Sequence, residues 1–167
     1  MKNKSNSIFL GLKSYNEEDS EYFFGREQDK ENLLTILQKN KFLTLTGGLG
    51  SGKSSLLKAG LVPRLKNGFV GQAGKDWSIA YFRPGISPLN NLAHALTFDD
   101  VLNVESKPNT TDYKNYLDTI KNSGSMGLVE IYKNSEIYNK RNLLVVIDQL
   151  EDLFKFSKQF DVNASDD

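Results

Sequence analysis

Residues 43–60 read LTLTGGLGSGKSSLLKAG: an alternating run of leucine and threonine, four glycines within residues 47–52, a lysine, two serines and the start of a leucine-rich pattern. Glycine-rich turns between a strand and a helix are common, and four glycines alone specify only a tight turn. The spacing specifies more. Gly47 is followed by four residues and then by Gly52, Lys53 and Ser54, which is the P-loop pattern when a strand precedes it and a helix follows. Both flanks supply that context. Residues 41–46, KFLTLT, are short, β-branched and aromatic and stop at a double glycine, as a buried strand does. Beyond Lys53, the residues Leu56, Leu57, Ala59, Leu61, Val62 and Leu65 recur at helical spacing, with a kink expected at Pro63.

The chemistry follows from the residue types. Gly47, Gly48, Gly50 and Gly52 let the backbone turn its N–H groups inward, with those of Leu49 and Ser51, around oxygens that a side chain would exclude. The helix start at Lys53, Ser54 and Ser55 adds its partial positive charge at the same place. Lys53 can then pair with the β- and γ-phosphates of a nucleotide, and the Ser54 hydroxyl can enter the shell of Mg²⁺.

Working outward, residues 1–15 are polar except for an apolar patch at 8–12, and Asn16 with Asp19 three positions on is a helix start ended by Gly25. From 26 to 38 the residues Leu33, Leu34, Ile36 and Leu37 crowd one side of a helix with charged first turns. Residues 77–85, WSIAYFRPG, read as a second strand closed by a Pro-Gly turn, and SPLNNLAHAL as a helix with Ser87 as N-cap and Pro88 at its first position. Residues 97–111 show little periodicity, 113–121 and 126–139 look helical, and NSGS between them looks like a turn.

Residues 142–154, NLLVVIDQLEDLF, carry five apolar residues in a row, the signature of a strand buried on both faces, as in a parallel sheet covered by helices. Asp148 ends this strand, and in an open parallel α/β sheet ligands sit at the carboxyl ends of strands. An isolated aspartate there is most simply a helix N-cap. Paired with the glycine loop it becomes the carboxylate that orients Mg²⁺ through water. Glu151 and Asp152 follow, either as a solvated acidic turn or as the source of a general base. Glu151 is the better choice for reach, and helical spacing turns Asp152 toward solvent.

The segments GLKSYNEEDSEYFFGREQDKENLL, FLTLTGGLGSGKSSLLKAGLVPRL, FRPGISPLNNLAHAL and LLVVIDQLEDLF, in this order, resemble the N-terminal part of the NTPase domain of the novel STAND NTPases, over about residues 9–156. The resemblance implies a three-layer P-loop α/β fold, a parallel sheet flanked by helices, with residues 16–157 as its core, Walker A at 47–54 and Walker B at 143–148. It implies ATP and Mg²⁺ as cofactors, and places Phe24, Gly25 and Arg26 near adenine. Gln149 stands where related AAA+ proteins keep a catalytic glutamate, which implies slow hydrolysis. The family continues into sensor, helical and repeat domains and supports self-association, so the chain is expected to be an incomplete domain ending in a polar tail at 158–167.

Composition limits the alternatives. The 21 basic and 21 acidic residues cancel, so no whole-chain field draws the protein to nucleic acid or an anionic membrane. The absence of cysteine removes disulfides, thiolate metal sites and a cysteine nucleophile and fits a reducing cytoplasm. No apolar run reaches membrane-spanning length. His94 is expected at a partly buried helix flank, Tyr22, Phe23 and Phe24 in the core, and Arg83 as a turn residue rather than a phosphate contact. Three functions compete: an ATP-dependent signalling or defence switch, a nucleotide-binding module without meaningful hydrolysis, and a small-molecule P-loop kinase. The kinase would need an arginine-rich lid and an acceptor pocket, neither evident in residues 86–140.

Overall fold

A computed structural model describes residue 11 and residues 13–68, 76–104 and 110–155. The apolar patch at 8–12, apart from Gly11, and the tail at 158–167 lie outside the described residues. The chain divides into two compact units, Met1–Gly74 and Lys75–Asp167.

The first unit is helical. A 3₁₀ turn, Glu17–Tyr22, opens where Asn16 and Asp19 predict it: the Asp19 carboxylate accepts the Asn16 N–H at 2.9 Å. Helix α1, Glu27–Lys39, buries Leu33, Leu34 and Leu37. Ile36, expected on the same side, is exposed. After the glycine loop, α2 (Lys53–Ser55) runs on as a π-helical stretch, Leu56–Leu61, and then as α3, Val62–Lys66. The kink expected at Pro63 takes this form: proline has no N–H to give the preceding turn, and the Val62 N–H reaches back five residues to the Leu57 carbonyl. The core holds Leu56, Ala59, Leu61, Val62 and Leu65 with α1 and Phe23 packed against them. Each fully buried leucine contributes about 1.5–3 kcal/mol.

Residues 41–46, expected as a strand, form none. Their period-2 alternation is present, with Leu43 and Leu45 half-buried and Thr44 and Thr46 exposed, but Phe42 is 80 % exposed and no ladder pairs with them among the described residues. An extended segment becomes a strand only when a neighbour takes its backbone groups.

The second unit is α/β. Strands β1 (Asp76–Phe82) and β2 (Arg141–Ile147) form a parallel pair in register from Asp76 opposite Arg141 to Phe82 opposite Ile147. Parallel strands need a long crossover, here residues 83–140 with α4 (Pro88–Leu96), α5 (Thr110–Ser123) and α6 (Gly127–Lys133). Helix α4 packs on β1, α5 on α4 and α6 on α5. The core joins Ala80, Ala93, Leu96, Leu102, Ile131 and Ile137. Residues 97–104, unpatterned in sequence, supply the buried Val101 and Leu102. Helix α6 is shorter than the expected 126–139, because turns occupy 134–140. The expectation that β2 is buried on both faces fails: Val146 is buried, residues 143–145 are half-buried and Ile147 is exposed. Among the described residues β2 has one ladder neighbour, and an edge strand keeps solvent contact.

Candidate functional site

In the first unit the glycine loop is built by backbone conformation. Gly50 and Gly52 adopt φ of 74° and 81°, the left-handed region that side chains disfavour by roughly 1–2 kcal/mol. A Cβ on Gly47 would stand 2.9 Å from the Ser51 hydroxyl oxygen, so a side chain there would require the Ser51 hydroxyl to move. The Ser51 N–H closes a turn on the Gly48 carbonyl at 3.3 Å. Lys53, first residue of α2, folds back over this loop and donates from Nζ to the Gly47 and Gly48 carbonyls at 2.7 and 2.9 Å. A cation thus lies on the loop at the start of a helix, the donor set that a phosphate group requires. Ser54 is half-buried, Ser55 is buried and accepts the Tyr15 N–H at 3.1 Å, and Leu49 projects fully into solvent.

The FFGRE box reaches the same loop. Arg26 donates from its guanidinium to the Ser51 carbonyl at 3.1 Å while pairing with Asp29 through Nε. Of the three aromatics expected in the core, only Phe23 is buried; Tyr22 is exposed and Phe24 is 74 % exposed. Beside Phe23 lies Lys30, whose burial has no mark in the sequence. It is 7 % exposed, donates to the Phe23 carbonyl at 2.7 Å and to Glu27 at 3.4 Å, and its ammonium stands 4.9 Å from the Phe23 ring centroid. Phe23 is thus held by Lys30 through both its carbonyl and its ring. A lysine three residues into a charged helical turn carries no sequence mark of burial.

In the second unit, the carboxylates after β2 are sorted by the end of β1. The Asp148 N–H continues the ladder to the Phe82 carbonyl at 2.9 Å, and the Tyr81 hydroxyl donates to Asp148 Oδ2 at 2.6 Å. Burial, and then the bond to Asp148 and its charge, push the Tyr81 phenol far above the ordinary tyrosine range. Gln149 follows at φ 60°, an uncommon conformation for a residue with a Cβ. Asp152 is 2 % exposed and accepts Arg83 Nε at 2.6 Å, Arg83 Nη2 at 3.4 Å and Lys155 Nζ at 3.5 Å. The Arg83 hydrogen bond holds its carboxyl below the usual value of 3.8. Glu151 faces solvent.

These positions correct two expectations. Helical spacing predicts Asp152 toward solvent and Glu151 as the carboxylate of better reach, whereas Asp152 is the buried one, because the first turn after Asp148 starts from a left-handed residue and not from regular helical spacing. Arg83 is the turn residue expected, its carbonyl and that of Pro84 accepting the Asn91 amide at 3.2 and 2.8 Å. His94 is exposed rather than partly buried, edge-on to Phe98 at 5.2 Å. Among the described residues no group of three His, Cys, Asp or Glu side chains clusters as a metal cage. Mg²⁺ is ordinarily held by one or two protein carboxylates with phosphates completing its shell, a donor set to which the carboxylate type at Asp148 belongs. No helix among the described residues is long and apolar enough to cross a membrane.

A protein-family model described as Novel STAND NTPase 1 matches residues 9–164. No curated protein and no solved structure matches the chain.

Proposed function

This chain belongs to the Novel STAND NTPase 1 family, and we propose that it binds Mg-ATP as the P-loop NTPase domain of a STAND-type signalling or defence switch, with a three-layer fold and slow hydrolysis as the reset. The observation that carries the reading is the Lys53 ammonium lying on the Gly47 and Gly48 carbonyls of a loop bent by left-handed Gly50 and Gly52. Phosphate oxygens offer that ammonium a stronger, charged acceptor than two neutral carbonyls.

In this reading, the N–H groups of residues 47–55 and the Lys53 side chain bind the phosphates, while the Ser54 hydroxyl and the Asp148 carboxylate are the protein's ligands to Mg²⁺. The metal, when bound, supplies electrostatic stabilisation of charge on the phosphoryl oxygens. Phe24, already turned outward, is a hydrophobic platform for the base, with Gly25 and Arg26 beside it; the preference for adenine rests on family resemblance. Glu151 is the carboxylate that accepts a proton from the attacking water, since Asp152 is bound to Arg83 and Lys155. Nucleotide occupancy then orders the loop and its partner surfaces, as in other nucleotide switches. Self-association and further C-terminal sensor or repeat domains belong to this proposal.

A binding module without hydrolysis is the second reading, favoured by Gln149 at the position following Asp148. Titration with a fluorescent ATP analogue in Mg²⁺ tests the first step: Lys53→Ala lowers affinity roughly 100-fold, the value of a lost charge-assisted contact, and unchanged affinity would refute the site. Phosphate release under Mg-ATP then separates the readings. Slow release abolished by Glu151→Gln supports the switch, and binding without release supports the module.

A further inference from the structure

We infer that Tyr81 is a positioning residue for Asp148, fixing that carboxylate for a divalent cation; the inference rests on the reading of Asp148 as a metal ligand. Register explains how a residue 67 positions away comes to the same place. Tyr81 lies opposite Val146 in the parallel pair, paired residues share a face, and the next position on that face beyond Val146 is 148. A side chain as long as tyrosine spans this diagonal. Its hydroxyl meets Asp148 Oδ2 at 2.6 Å, inside the short range of hydrogen bonds to a carboxylate.

Asp148 is thereby held at two points, its N–H on the Phe82 carbonyl and its side chain on Tyr81, immediately before the chain turns left-handed at Gln149. The end of β1 gives the two aspartates different donors. Asp152 receives the Arg83 guanidinium, with Lys155 behind it, and its charge is spent within the protein. The Asp148 side chain receives the Tyr81 phenol from the same strand, on its Oδ2 oxygen. A carboxylate whose orientation is fixed by a hydrogen bond from behind suits a hard cation. The hydroxyl draws some electron density from the carboxylate. Orientation outweighs that loss where metal ligands have been tested, since removing a hydrogen-bonded partner behind a ligand typically costs about 10–100-fold in metal affinity.

The test measures metal coupling: the Kd of a fluorescent ATP analogue in EDTA divided by its Kd in Mg²⁺, on the full chain. Tyr81→Phe keeps the ring and removes only the hydroxyl. It is expected to lower the ratio about tenfold with the EDTA affinity unchanged. Tyr132→Phe removes a comparable hydroxyl at the other end of β2, bonded to the Arg141 carbonyl at 2.9 Å, and is expected to leave the ratio alone. Asp148→Asn, run alongside, separates the two levels. If it collapses the ratio and Tyr81→Phe does not, the positioning role is overturned while the metal reading stands. If Asp148→Asn also leaves the ratio unchanged, the metal reading is overturned and Tyr81 with it. A Tyr81→Phe protein that melts lower but couples metal normally also overturns the inference, as its hydroxyl would then serve the fold alone.

Discussion

The glycine loop and the carboxylate turn after β2 carry charge by opposite constructions. Residues 47–53 work through consecutive backbone groups and one lysine that folds onto its own loop. The turn at 148–152 works through side chains held by another strand, Tyr81 on Asp148 and Arg83 on Asp152. The first construction is contiguous, so it withstands changes in outward side chains and fails when its backbone is changed. The second depends on the register of strands separated by three helices, so it fails whenever the scaffold between them shifts.

The largest expected effect falls on that scaffold. Gly127 opens α6 against α5, and a Cβ there would stand 2.8 Å from Ile120 Cα and 2.9 Å from the Thr119 carbonyl oxygen. Both obstacles are backbone, which cannot rotate away. Gly127→Ala gains up to about 1 kcal/mol of helix propensity, and overpacking costs about 1–3 kcal/mol, more where the neighbour is rigid. A net loss of about 2 kcal/mol should lower the melting temperature by roughly 4–8 °C. A variant that melts with the parent would show that α5 and α6 do not determine the stability of the carboxylate half.

The same contrast governs what the sequence made legible. The pattern of Lys53, Ser54 and the four glycines is legible because it lies in spacing along one stretch, and β2 with Asp148 after its end because a five-residue apolar run is visible without its neighbours. The strand at 41–46 was misread because alternation reports a face and says nothing about a ladder partner. Tyr81 stood in a correctly placed strand but carried no signal, since its role exists only once Tyr81 is set opposite Val146. Asp152 is buried against expectation because Gln149 at φ 60° breaks the helical phase on which that expectation rests. Lys30 was overlooked because a buried lysine is recognised by its acceptor, here the Phe23 carbonyl.

A middle-sized effect separates the two aspartates. Arg83 holds the Asp152 carboxyl below 3.8 in the folded chain, so this group contributes stability that is complete above the ordinary carboxylate range. That stability is lost as pH falls through the depressed folded value. In Arg83→Gln the folded value rises toward the unfolded one. The melting temperature of the variant should therefore lie below that of the parent at pH 7, with the gap narrowing as pH is lowered through the acid range. Parallel curves from pH 7 to pH 3 would mean that the pair contributes no linked stability.

The smallest expected effect is the sharpest check on the loop. Leu49 is a large apolar side chain, fully exposed, at the tip of the glycine loop, and a hydrophobic tip of this kind would ordinarily suggest a contact. If the loop acts through its backbone, as the folded-back Lys53 and the left-handed glycines indicate, the side chain at 49 contributes nothing to phosphate binding. Leu49→Ser keeps the N–H and removes the apolar group. Surface substitutions that touch no structural feature stay within about 0.5 kcal/mol, so the variant should melt with the parent and bind the ATP analogue within about twofold of it. A clear loss of affinity would mean that the loop recognises nucleotide partly through its tip side chain. The separation between a backbone-built half and a side-chain-built half would then fail at the position where it is most exposed to test.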